Sequence, residues 1–224
     1  MVLRPKFCSH LILLFLLNGS LAWGQLSNVR AIADRVDRHY NHLRAMKAEF
    51  SESYRGAGVE RTESGILYLQ KPGRMRWEYI TPRSKLFISD GKQAFFYVPG
   101  EAQARRSPLN KLDDLRSPLR YLLGKTKLEK EFEHLELAAP PASSAAGDVI
   151  MRGIPHSMAD RVQMVELEIN QENQIVRILI AGIDGDTTEF HFRNLVENPE
   201  LSETWFHFAP PNGVQVVEGE ELTQ

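Results

Sequence analysis

Cysteine is almost missing from this chain. The only one, Cys8, lies in a stretch that the mature protein is not expected to keep. A mature chain without thiols has no disulfide staples, no cysteine nucleophile and no thiolate metal ligand. Long apolar runs are missing too. The run from Leu11 to Leu17 falls well short of the ~20 residues that a bilayer-spanning helix needs, and nothing longer follows it. It comes after Arg4 and Lys6 and before Ala22-Trp23-Gly24, which gives a charged n-region, an apolar h-region and a small-x-small cleavage site. Residues 1–24 are therefore expected to be a cleavable signal peptide, cut before Gln25, and residues 25–224 a single exported domain without stable membrane insertion. Cys8 precedes the apolar run instead of following it, so a lipid-modified N-terminus is not expected. A strong charge of one sign is also lacking. Taking Arg4 and Lys6 from the 27 basic residues leaves 25 against 29 acidic ones, a net charge of −4 with the signs interspersed. A nucleic-acid footprint would need a basic excess.

The motifs of catalysis are absent as well. The chain has no G-x-S-x-G, no H-E-x-x-H, no Walker loop and no dinucleotide fingerprint. His39 and His42 lie one turn apart on a predicted helix but have no third ligand nearby, so they read as a solvated face. "DGDTTE" (Asp184, Asp186, Glu189) hints at a calcium loop, yet its spacing departs from the EF-hand and it sits where a hairpin turn is expected. No enzyme, no cofactor and no metal site is expected, although catalytic groups that meet only in space would escape this reading.

What the chain does have is pattern. Leu26, Val29, Ile32, Ala33, Val36, Tyr40 and Leu43 recur at spacings of three and four, which predicts an amphipathic helix capped at Ser27 or Asn28. After Lys47 the period changes to two. Short β-rich runs follow, broken by Gly56 and Gly58, Pro72-Gly73, Pro82, Asp90-Gly91 and Pro99-Gly100. Asp-Gly between two such runs is a strong hairpin signal. Between about 107 and 127, Ser107-Pro108 and Ser117-Pro118 each look like the start of a short helix. Strands resume with "EFEHLELA", pause at the Ala/Ser-rich loop 138–148, which has the composition of a poorly ordered linker, and end with "TWFHFAPP". The total is about ten or eleven antiparallel strands, one long N-terminal helix and short helices mid-chain.

The stretch "KPGRMRWEYITP" carries the functional question. Arg74, Arg76 and Glu78 alternate with Met75, Trp77 and Tyr79, so a strand here has one charged face for water and one large apolar face. Phe50, Leu67, Leu69, Phe87, Phe95 and Tyr97 continue the apolar set, as do Phe190, Phe192, Phe206 and Phe208. A half-buried sheet needs such a face for its core. A wide curved sheet with few helices to cover it either closes on itself or encloses a cavity. Pattern alone favours the packed core; the scarcity of helices to cover the sheet argues for closure or a cavity.

"GILYLQKPGRMRWEY", "SDGK" followed by "FYVP", "SPLRYLLG" and "FHFAPPNGVQVV" occur in that order, and together they resemble the outer-membrane lipoprotein carrier family, LolA. The resemblance implies a mainly β fold, an unclosed antiparallel barrel with a helical lid. It implies a cavity for lipoprotein acyl chains, lined by Phe50, Leu67, Leu69, Met75, Trp77, Tyr79, Phe87, Phe95, Tyr97, Phe206 and Phe208. Leu119, Leu122 and Leu123 would form the inner side of the lid. The implied protein is a periplasmic monomer that takes lipoproteins from an inner-membrane ABC transporter to an outer-membrane acceptor. Relatives of the same fold that bind glycolipids or sense envelope stress offer the alternative reading. One position departs from the pattern. Where well-studied members have an arginine that latches the lid through backbone carbonyls, this chain has Lys71, with fewer donors and no planar fork. As a latch, Lys71 would have to reach carbonyls around residues 118–124. The export reading predicts that protein recovered from a periplasmic fraction begins near Gln25. An intact N-terminus retained in the membrane fraction, found by N-terminal sequencing, would overturn it.

Overall fold

The computed structural model describes residues 17–109, 119–122 and 127–219, with side chains from residue 28 onward except at 119 and 120. Helix α1 (Leu17–His42) is followed by β1 (Ala45–Gly56), β2 (Val59–Gln70), β3 (Arg74–Thr81), β4 (Lys85–Asp90), β5 (Gln93–Tyr97) and β6 (Gln103–Pro108). Two four-residue helices, Leu119–Leu122 and Leu128–Glu131, lead to β7 (Phe132–Ala138), β8 (Val149–Pro155), β9 (Val162–Ile169), β10 (Ile175–Gly182), β11 (Thr187–Glu197) and β12 (Gln215–Glu218). All twelve strands form one sheet in the order β12-β6-β5-β4-β3-β2-β1-β11-β10-β9-β8-β7. The central joint is β1 against β11, which brings the first strand beside one from near the end of the chain. Among the described residues the two ends of the order do not pair with each other, so the sheet stays unclosed, as expected from the resemblance.

Turn chemistry sets the hairpins. Ala57 and Gly58 both have positive φ, the geometry of a tight two-residue β1–β2 turn. At the β4–β5 turn the Asp90 carboxylate accepts the N–H groups of Lys92 and Gln93, each at 2.8 Å. Gly65 has a different task. It lies between Phe50 and Tyr79 in cross-strand register, at a break in the β2–β3 ladder. A Cβ there would stand 1.8 Å from the Glu78 carbonyl oxygen, so only glycine permits this approach.

The main core lies on the concave face. Helix α1 covers it with Val29, Ile32, Ala33, Val36 and Tyr40, the positions that the helical spacing selects. The end of the sheet nearest the C-terminus of α1 is stitched by polar contacts. The Tyr40 hydroxyl accepts Ile175 N–H at 2.9 Å, and Asn198 Oδ1 accepts Arg44 N–H at 2.7 Å. His39 is half-buried, edge-on to Tyr40 and 3.1 Å from Glu197, so it does not belong to a solvated face.

Several elements differ from expectation. The stretch 204–211 is not a strand: Ser202 caps a 3-10 turn, Glu203–Phe206, and beyond it Phe208 packs with Ile88, Tyr97 and Ala104 on the face of the sheet opposite α1. Two strands, β6 and β12, had no clear alternation. Ser107-Pro108 ends β6 instead of starting a helix, because Ser107 pairs with Ala94 and Pro108 lies beyond the part of β6 paired with β12, where the strand is locally an edge. Pro118 and Leu123 lie outside the described residues. The 138–148 loop carries internal turn bonds, Ser144 N to Pro141 O and Asp148 N to Ala145 O, and Gln171 ties it to the β9–β10 turn through Ala146 O at 3.0 Å. "DGDTTE" makes the β10–β11 turn, where Gly182 N–H donates to Asp186 O at 2.9 Å, and Glu189 pairs with Arg177.

Asp37 joins α1 to the segment that leads into β7. Its carboxylate accepts the N–H of Leu128 at 3.1 Å. Burial is the largest influence and pushes its pKa from 3.8 up to about 6, against the lowering effect of that hydrogen bond. The folded state thus holds this proton more tightly than the unfolded chain. Its stabilising contribution is full below about pH 4 and is lost as pH rises through 6. The melting temperature of the wild type relative to Asp37→Asn should rise by roughly 2–4 °C between pH 7 and pH 5, after allowance for solvent screening of a half-exposed carboxyl. A difference independent of pH in thermal melts would contradict this.

Candidate functional site

Strand register lays the concave side chains of β1 to β4 in rows. Beginning at the end that α1 covers, the first row is Met46, Leu69 and Met75. The second is Ala48, Leu67, Trp77 and Phe87, and the third is Phe50, Gly65, Tyr79 and Lys85. Beyond them come Glu52 opposite Glu63, then Tyr54 opposite Arg61. The wall therefore runs from apolar through aromatic to charged along the strand direction. From β11, Phe192 and Phe190 extend it sideways beside Phe50 and Glu52.

The aromatic rows pack edge to face. Phe50 meets Trp77 at 4.6 Å between ring centres and Tyr79 at 5.1 Å, and Phe190 meets Trp77 at 5.9 Å. Such pairs contribute about 0.5–1.5 kcal/mol beyond area burial. The wall is covered: Leu67 is 0 %, Met75 2 % and Trp77 4 % exposed. Buried with it is one group that lacks a partner among the described residues, the Trp77 indole Nε1–H. A buried donor left unpaired costs about 1–3 kcal/mol.

The charged end has its own order. Tyr79 donates its hydroxyl hydrogen to Glu52 at 3.0 Å. Burial pushes the Glu52 carboxyl upward, opposed by that hydrogen bond. The Tyr79 hydroxyl is pushed up as well, first by burial and then by the Glu52 charge. Glu63, almost fully buried, receives the Lys85 ammonium at 2.7 Å, with Arg61 3.5 Å away. Lys85 also sits 4.7 Å above the Tyr79 ring. A buried ion pair adds little net stability but is costly to break.

Of the residues expected to line a cavity, Phe50, Leu67, Leu69, Met75, Trp77, Tyr79 and Phe87 come together on this wall. Phe95, Tyr97 and Phe208 do not. They form a separate cluster with Ile88 and Ala104 on the convex face, where Phe208 stacks on Phe95 at 5.2 Å. Phe206 lies in the 3-10 turn against β3 and β4, beside Trp205, which meets Tyr68 edge-on. The reason is parity. Phe87 pairs with Phe96, so the inward residues of β5 are Ala94 and Phe96, and Phe96 is the wall residue that the pattern missed. The same turn half-buries Arg74 and Arg76, expected in water. Arg74 pairs with Glu203 at 3.0 Å and Arg76 donates to Trp205 O at 3.1 Å. Of the expected lid residues, Leu122 is buried in the core, the side chain of Leu119 is not described, and Tyr121 stacks on Phe132 at 5.3 Å. Lys71 places its ammonium on the carbonyls of Tyr40 and, at 3.4 Å, Asn41, in the last turn of α1. Of the acceptors expected for it at 118–124, only 119–122 fall within the described residues.

Comparison with known proteins identifies the scaffold. The family model "Outer membrane lipoprotein carrier protein LolA" matches residues 41–209. The outer-membrane lipoprotein carrier protein of Nitrosospira multiformis is 27 % identical over 223 residues, covering 97 % of this chain and 99 % of that one. That of Neisseria gonorrhoeae is 25 % identical over 208 residues, covering 93 % and 97 %. Among solved structures, the Mycobacterium tuberculosis lipoprotein LppX superposes with a TM-score of 0.50 at 14 % identity, covering 79 % of this chain and 98 % of that one, which speaks to the fold alone. With an unclosed twelve-stranded sheet, a covered apolar wall and a family match across three quarters of its length, the chain belongs to the LolA family of outer-membrane lipoprotein carrier proteins.

Proposed function

We propose that this protein carries lipoproteins across the periplasm, burying their acyl chains against the concave wall between an inner-membrane ABC transporter and an outer-membrane acceptor. The observation that carries the reading is the continuous apolar and aromatic wall on β1 to β4 and β11, in a chain of this family. Each acyl methylene removed from water contributes about 0.8 kcal/mol, so an exposed triacyl anchor cannot cross an aqueous space unaided. Contacts to such a wall are non-directional, and a carrier needs grip without chemical commitment. No step of bond making or breaking enters this function. Among the described residues no helix is long and apolar enough to cross a membrane.

The wall is covered, so loading requires a cover to leave. The helix Leu119–Leu122 suits that part. Four residues cannot hold a helix cooperatively, so its order depends on Tyr121 and Leu122 docking on the core. Chains entering the wall take the place of those side chains. Helix α1 is the fixed part of the cover, and Lys71 holds its last turn, where a cation also meets the negative end of the helix dipole. We take this tie to α1 to be the way in which Lys71 serves as the latch.

The direct test of the reading is mass spectrometry of lipid or lipoprotein that co-purifies from the periplasm. Two variants probe its parts. Met75→Glu places a charge in the first row and should abolish uptake of a fatty-acid analogue while keeping a cooperative unfolding transition. Simple unfolding would mean that this row is packed core and nothing more. Lys71→Leu should still load lipoprotein but hand it to purified acceptor about tenfold more slowly, because a bond from a charged donor contributes about 1.5–3 kcal/mol to holding the cover. Lys71→Arg should transfer normally. A wild-type transfer rate from Lys71→Leu would remove Lys71 from the mechanism.

A further inference from the structure

The carrier reading leaves open which way the cargo lies on the wall, and three observations bear on that. The first is the unpaired Trp77 indole N–H, a buried donor in a site whose neighbours are hydrocarbon and aromatic rings. An acyl chain has nothing to offer it, whereas the ester carbonyl that joins the chain to glycerol does. The second is the order of the rows. Met46, Leu69 and Met75 come first, then the Trp77 and Tyr79 rows, then Glu52, Glu63 and Lys85. Half a bilayer has the same order from hydrocarbon to headgroup, with tryptophan and tyrosine at the interface. The third is the closure of the apolar end. There Tyr40, Lys71 and Asn198 tie α1 and its following residues to the sheet, while the opposite end is lined by charged side chains.

We propose that the Trp77 indole N–H donates to an ester carbonyl of the cargo's diacylglyceryl group, with the acyl chains directed toward Met75 and the cargo's polypeptide leaving past Glu52 and Lys85. This rests on the lipoprotein-carrier reading of the same wall. The hydrogen bond sets how deep the chains enter, since the ester groups stop at the aromatic rows. The charged row then faces the polar, hydrated part of the cargo. The Tyr79–Glu52 bond keeps the Tyr79 hydroxyl occupied, so Trp77 is the donor left for the ester.

The test compares two synthetic triacylated lipopeptides that differ only in the glyceryl linkages, ester in one and ether in the other. Binding is read by displacement of a fluorescent lipopeptide. The wild type should bind the ester form about fivefold more tightly, the effect of one neutral hydrogen bond. Trp77→Phe should erase that preference: the ester and ether forms should bind it equally, whatever its absolute affinity for either. Equal wild-type affinities overturn the proposal whether or not Trp77→Phe folds, and would mean that water satisfies the indole. Binding of neither lipopeptide overturns the carrier reading itself. Direction is read separately with a photo-cross-linking residue. Placed at Arg61, it should capture the peptide part of the lipopeptide, and placed at His42 it should not. Capture through His42 overturns the orientation.

Discussion

An antiparallel sheet with large apolar side chains along one face is stable only once that face is out of water. Here the sheet has twelve strands, curves without closing, and carries its largest side chains inward, so the demand falls on whatever spans the opening. Helix α1 meets it with a single apolar stripe, and the short helix at Tyr121 and Leu122 adds to it. The convex face solves a smaller version of the same problem. Phe95, Tyr97 and Ile88 are covered by the chain's own tail through Phe208. Two covers, made from opposite ends of the sequence, thus keep the two faces of one sheet dry.

Much of this was legible in the residues. The helical stripe from Val29 to Tyr40, the Asp90-Gly91 hairpin and the inward set around Met75 and Trp77 all follow from period and turn chemistry. Where alternation broke off, so did legibility. In "QAFFYV" four successive large residues hide which parity points inward. The answer lay in the preceding turn: an even number of loop residues makes the partner of Phe87 an even-numbered residue, hence Phe96. In "TWFHFAPP" the alternation was real but served a tail lying across the sheet. Only Ser202 as a cap and two prolines that cannot join a ladder spoke against a strand. Strand β12 pairs parallel to β6, a long-range match that no local pattern announces. The charged end of the wall was missed for a related reason. Glu52, Glu63 and Lys85 look like ordinary surface charges until register places them in one patch.

On the carrier reading proposed above, the wall would combine two kinds of contact with different tasks. Methylene burial on Leu67, Leu69 and Met75 is additive and indifferent to chain identity, so it would supply grip. Polar atoms set into such a surface supply position, because an unpaired donor favours one depth over its neighbours. A carrier that must release what it binds gains from this division. Strength can be graded by covered area, and orientation is kept by few atoms.

The pairing of β1 with β11 has a consequence for how the chain comes to be folded. Residues 45–56 and 187–197 form the central seam, so the sheet cannot become one body until most of the polypeptide is available. Loop closure over such a separation comes before its reward in contacts, which slows topologies of this kind. Until then the β1 edge stands open beside an uncovered row of aromatics, a template for pairing with other chains. A newly made molecule therefore shows, for that interval, an open strand edge and an uncovered apolar row together, and both are hidden in the same event, when β11 docks on β1.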